Sequence, residues 1–216
     1  MEQNHDPNHS AQQKVEVKEE DSSKVRKYVG TFALVISVIA VVWSLFQIYA
    51  TSFATFDAIS LRAWHILFLF TMTFLLYPTF KKERKERKLP PVWDLACVGL
   101  TIFSFGYLLA NYTDIALRGG YLEAFDYIVA GIGVIMIFEG ARRVAPSLAV
   151  LAGIFFAYNF FGPLIPGAFG HGGFSLTRVL QHMFWGSQGL LGIGVGVSAT
   201  FIFMFIFFNA NSSLPG

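Results

Sequence analysis

The chain has 216 residues, of which 54% are apolar and 17% aromatic. Its formal charge of only +2, with no basic patch interleaved with aromatics, excludes a nucleic-acid partner. Charged residues make up 14%, against roughly a quarter in soluble domains, and they cluster between long stretches that hold almost none. The single cysteine, Cys97, excludes an intrachain disulfide, no Cys/His group has metal-ligand spacing, and no cofactor is expected.

Residues 1–27 are polar and of mixed charge, too poor in apolar side chains to pack, and are expected to form a disordered tail. The first apolar stretch is longer than the ~7–15 residues of a signal peptide, so it reads as a retained anchor. Apolar runs follow at 28–49, 63–80, 92–112, 125–138 (extending to Glu139 or Gly140), 146–161 and 190–208. A helix needs about 20 such residues to cross a bilayer. The runs are apolar all round, whereas barrel strands would alternate, and lipid satisfies no backbone polar group outside a helix or closed barrel. The expected fold is all-α: a polytopic membrane protein with about six transmembrane helices.

Lys24, Arg26 and Lys27 precede the first run. Lys81, Lys82, Arg84, Lys85, Arg87 and Lys88 fill the loop after the second, and Arg142 and Arg143 follow the fourth. If each run crosses once, these eleven lie on one side, and only Arg62, Arg118 and Arg178 lie on the other. The positive-inside rule then places the amino terminus in the cytoplasm and the segments 50–62, 113–124 and 162–189 outside. The basic loop 81–88 reads as a topology signal on a solvated turn, or alternatively as an anionic-lipid site.

The third outer segment differs from the other two. Its glycines and prolines, among them Pro163, Pro166, Gly167 and Gly172 beside His171, argue against a regular helix. Ser175 can then cap a short helix running to Trp185. Leu176, Val179, Leu180 and Met183 share one face of it, and Arg178, Gln181 and His182 largely the other, the pattern of a helix lying along a membrane surface. The segment reads as an external docking and hinge element, or as a reentrant loop tied down for folding alone.

No catalytic constellation stands out, so no enzymatic activity is expected. Glu139 lies three and four residues before Arg142 and Arg143, so helical geometry brings them together. An intramembrane carboxylate is a functional hypothesis, but a structural ion pair at the membrane edge is favoured. His65 reads as a packed histidine, and Asn159 as an interhelical hydrogen-bonder. In the sixth run, Gly189, Gly192, Gly194 and Gly196 precede Ser198 and Thr200. Gly192 and Gly196 form a small-xxx-small pair suited to close helix packing. Alternatively, the stretch unwinds to line a polar path, as broken helices of transporters do.

Four stretches, 139–143, 160–167, 171–178 and 189–200, occur in an order and spacing that resemble the fused permease subunit of TRAP (tripartite ATP-independent periplasmic) transporters, in the subfamily that works with a TAXI-type solute-binding protein. The likeness covers roughly 125–208; the first half matches mainly in hydropathy and charge pattern. It implies a bacterial inner-membrane permease that imports organic acids or related solutes, coupled to sodium or protons and fed by a periplasmic binding protein. Residues 28–143 would then be the small-subunit-like domain, and 144–216 the start of the large, transporting one. Gln188 departs from the glutamate usual before the glycine. The family's fused subunits are several hundred residues longer, so the chain alone is expected to be incomplete and inactive. The competing reading is a non-transporting membrane scaffold or accessory subunit.

Overall fold

The computed structural model describes residues 25–53, 55–79 and 88–212. Most of the expected disordered tail, and the basic loop except Lys88, lie outside the described residues. Five helices are long and apolar enough to cross a membrane: α1 (Thr31–Ser52), α2 (Ala58–Leu76), α3 (Val92–Leu117), α4 (Ala124–Val144) and α5, Pro146–Phe161 continued by a 3-10 turn to Leu164. At ~1.5 Å per residue each reaches the ~30 Å hydrocarbon thickness of a bilayer or close to it. No β-sheet occurs among the described residues. The architecture is all-helical and compatible with a multi-pass membrane protein.

Local chemistry sets the helix boundaries. The Asp57 side chain accepts the Ser60 N–H at the start of α2. Glu123 and Asp126 form a reciprocal capping box at the start of α4. Pro91 precedes α3, and Pro146 opens α5. Because proline has no N–H and bars its predecessor from helical geometry, Ala145 is the sole break between α4 and α5. α4 runs on to Val144, past the expected Gly140, because Glu139, Arg142 and Arg143 continue its last turn.

α2, α3 and α4 form the core, with Ile66, Phe105, Leu108, Val129 and Ala130 buried among them. The outer helices contribute little to it: α1 buries only Gln47 and Ala50, and α5 only Ala149. α5 folds back antiparallel along α4, with the Phe138 and Phe156 rings 5.5 Å apart. Much of the remaining surface of α1 and α5 is exposed and apolar, as expected of helices whose solvent is lipid or another subunit.

After α5 the chain makes two 3-10 turns, Gly162–Leu164 and Gly167–Phe169, and enters α6 (Leu176–Leu180), which widens into a π-helical turn, Gln181–Trp185. The sixth apolar run is not one regular helix. It begins at Ile193 as α7 (Ile193–Val197), passes through a second π turn (Ser198–Ile202), and continues as α8 (Phe203–Ser212). Its apolar extent, Ile193–Asn209, is shorter than the five long helices.

Candidate functional site

Three groups of residues carry the polar chemistry. The first lies where α2 ends, α3 and α4 have their Asp94 and Arg143 turns, and the segment before α1 begins. Asp94 is buried and shared by two buried arginines: Arg26 reaches Oδ2 at 2.8 Å and Arg143 reaches Oδ1 at 2.7 Å. Thr79 also donates to Oδ1 at 2.9 Å. Arg143 donates further to the Tyr77 carbonyl and to Glu139, and its guanidinium stands 4.7 Å from the Phe74 ring centroid. Arg142 grips Glu139 through two nitrogens, each at 2.8 Å. The expected Glu139–Arg142–Arg143 pair is thus one edge of a larger network whose centre is Asp94. Sequence reading missed that centre. The available signal was a carboxylate in the first turn of an apolar helix, just after Pro90-Pro91. Arg26, assigned by sequence to the disordered tail, is instead buried, and its N–H bonds the Leu76 carbonyl at 2.8 Å. Burial works against its charge, but the bonds it donates to Tyr28 and Asp94 outweigh it and raise the guanidinium pKa above its ordinary value.

The second group is the turn-rich segment 162–185. Pro163 and Pro166 fix the entry to the two 3-10 turns, and Gly167 and Gly173 take positive φ of 83° and 70°, a region open to glycine. His171 staples the turn: its Nε2 is 3.1 Å from the Tyr158 carbonyl, while the Gly173 N–H donates to Nδ1 at 3.1 Å. A carbonyl can only accept, so Nε2 carries the proton. Gly172 is exposed beside it. Ser175 accepts the Arg178 N–H at the start of α6. Asn159 corrects the sequence expectation: its side chain bonds Phe155 and Phe156 of its own helix, and only its backbone carbonyl reaches out, to the Phe174 N–H.

The π turn docks on the ends of α3 and α4. Gln181 donates to the Gly120 carbonyl at 3.1 Å, Trp185 to the Asp126 carbonyl at 3.3 Å, and Phe184 is fully buried against Phe105 and Gly133. Of the polar face proposed from sequence, Gln181 is therefore committed. Exposed Arg178 and His182 border a cleft of about 430 Å³ with Tyr112, Trp185 and Gly186. Among the described residues neither side chain has a hydrogen-bond or ion-pair partner.

The third group is the broken sixth helix. Gly189 permits a tight return, since a Cβ there would collide with the Met183 backbone, and the Leu190 N–H bonds the Met183 carbonyl at 2.7 Å. Three side chains of α1 and α2 then hold α7 and the π turn. Arg62 donates to the Leu191 carbonyl at 2.8 Å, His65 Nε2 is 3.1 Å from Ser198 Oγ, and Gln47 donates to the Ala199 carbonyl at 2.6 Å. Thr200 bonds back to the Gly196 carbonyl of its own helix at 2.9 Å. Gly192 is tight against its own turn, and Gly196 lets the Arg62 guanidinium of α2 approach closely.

Gln47 Oε1, His65 Nδ1 and Trp43 Nε1 are buried with no hydrogen-bond partner among the described residues. A buried polar atom costs free energy unless it is partnered, and π turns recur at functional sites. No group of three His, Cys, Asp or Glu able to hold a metal occurs among the described residues. Gln47 and Arg62 were not singled out from sequence; the signal was a lone amide and a lone guanidinium in or beside apolar runs. No protein-family model, curated protein or solved structure matches the chain. The resemblance of its second half rests on the motifs themselves.

Proposed function

We propose that the chain is a membrane permease component of a binding-protein-dependent, ion-gradient-driven secondary transporter for organic acids or related solutes. It lies in the bacterial inner membrane with its amino terminus in the cytoplasm. The observation that carries this reading is the interrupted sixth helix, held by Gln47, Arg62 and His65 and lined with unpartnered buried polar atoms. Secondary transporters build their sites from such interrupted helices, where irregular backbone can meet a polar guest. In this reading the polar side of α6 opens outward beside the end of α3, and Arg178 and His182 face a carboxylate on the periplasmic TAXI-type binding protein.

Deleting the gene should abolish uptake of at least one member of a panel of radiolabelled carboxylates in whole cells. That uptake should collapse with the sodium or proton gradient and survive ATP depletion. Restoring the gene with Arg178→Glu should leave membrane protein levels nearly unchanged and reduce uptake about tenfold or more, the scale of one lost charge-assisted contact. Uptake unchanged across the panel would leave the scaffold reading in its place. Uptake that tracks ATP alone would remove the gradient mechanism. Orientation is checked in a Cys97→Ala background: an impermeant thiol reagent should label Asp114→Cys on intact cells, and Lys88→Cys only after lysis.

A further inference from the structure

α4 and α5 diverge along one side and leave an open apolar groove of about 780 Å³ between them. Its walls are Val134, Ile135, Phe138, Val150 and Phe156, and its floor is hollowed by Gly131, Ala149 and Gly153. A Cβ at either glycine would meet nothing within 4 Å, so the hollow is real space. Arg142 and Glu139 stand at one end, and Leu176 and Leu180 of α6 line the other.

We propose that this groove binds an anionic phospholipid, with one acyl chain in the hollow and the phosphate on Arg142. Length is the first reason. Arg142 and Gly131 are eleven residues apart on α4, about 16 Å along the axis, which matches half of a ~30 Å hydrocarbon core. The groove is one leaflet deep. A partner helix crossing the bilayer would have to continue past Leu176 and Leu180, where α6 stands in its way. An acyl chain ends there without penalty.

Charge is the second reason. Arg142 uses Nε and Nη2 on Glu139, and its Nη1 has no partner among the described residues; its side chain is 48% exposed. Glu139 is the groove's one carboxylate, and it already accepts from both Arg142 and Arg143, which mutes its repulsion of an anion. Guanidinium–phosphate contacts are short and directional. The remaining wall makes no hydrogen-bonding demand that a hydrocarbon tail would leave unmet.

The test is native mass spectrometry of the full chain released from detergent. It is titrated with phosphatidylglycerol or phosphatidylcholine carrying identical acyl chains. The wild type should retain phosphatidylglycerol roughly fivefold better, the scale of one arginine at an anionic surface. Arg142→Gln should bring the two lipids to parity, and Gly153→Leu or Gly131→Leu, whose Cβ meets nothing within 4 Å, should fill the hollow and lower retention of both. Equal retention by the wild type, or selectivity unchanged in Arg142→Gln, overturns the proposal. So does a Gly153→Leu chain that keeps its lipid while its monomer–dimer ratio shifts, because the groove would then seat a second copy.

Discussion

Replacing Asp94 with asparagine should lower folding stability by about 3–5 kcal/mol, the cost of removing one partner from a buried ion pair. Asp94 accepts at both oxygens from buried guanidiniums, Arg26 at 2.8 Å and Arg143 at 2.7 Å, and also from the Thr79 hydroxyl. Asparagine preserves the shape but presents an NH2 group, itself a donor, to one of the two arginines. Both guanidiniums then lose this carboxylate in a buried site, and Arg143 keeps Glu139 as its remaining anion. The measurement is unfolding in mixed micelles of rising sodium dodecyl sulfate fraction, with folded yield as a second readout. Arg142→Gln is the internal control. Its side chain is half exposed, and Arg143 remains to pair Glu139, so the change should stay below about 1 kcal/mol. Equal stability of Asp94→Asn and wild type would show that the network is incidental to folding.

Truncating Phe184 to alanine should cost about 3–5 kcal/mol, the usual range for emptying a buried aromatic site. The ring lies between α3 and α4, 5.3 Å from the Phe105 ring, and covers the missing side chain of Gly133. It is the main apolar anchor of the segment that precedes the broken helix. Gly133→Leu alone should also destabilise, by about 1–3 kcal/mol or more, because its Cβ would overlap the Phe184 ring. Combined with Phe184→Ala, the same leucine fills the void, so the double variant should be more stable than the sum of the two losses. That sign of coupling is the diagnostic. Strict additivity would mean that the two positions do not meet, and the placement of the π turn on α4 would be wrong.

The helical class and the five long apolar helices are legible from the chain itself. Each run is apolar all round, and a helix satisfies its own backbone within a single segment, so no distant partner is needed to predict it. Capping is equally local: Ser175, Pro91 and Pro146 mark helix starts through their own backbone chemistry. The Glu139–Arg142–Arg143 contact is legible for the same reason, since three- and four-residue spacing is a property of one helix.

Tertiary structure decided the rest. Asp94 is 68 positions from Arg26 and 49 from Arg143, and no periodicity relates residues so far apart. Gln47 meets Ala199 across 152 positions, and His65 meets Ser198 across 133. The sixth run reads from sequence as a span whose glycines serve either close helix packing or an interruption. Hydropathy cannot separate these, because both keep the same apolar residues. What the fold adds is Arg62, whose guanidinium lies beside Gly196 and bonds the Leu191 carbonyl. Composition determined that this protein is built of apolar helices. Which polar groups meet between those helices was decided by their packing, because burial makes each unpartnered donor or acceptor costly and so selects the arrangement that pairs most of them.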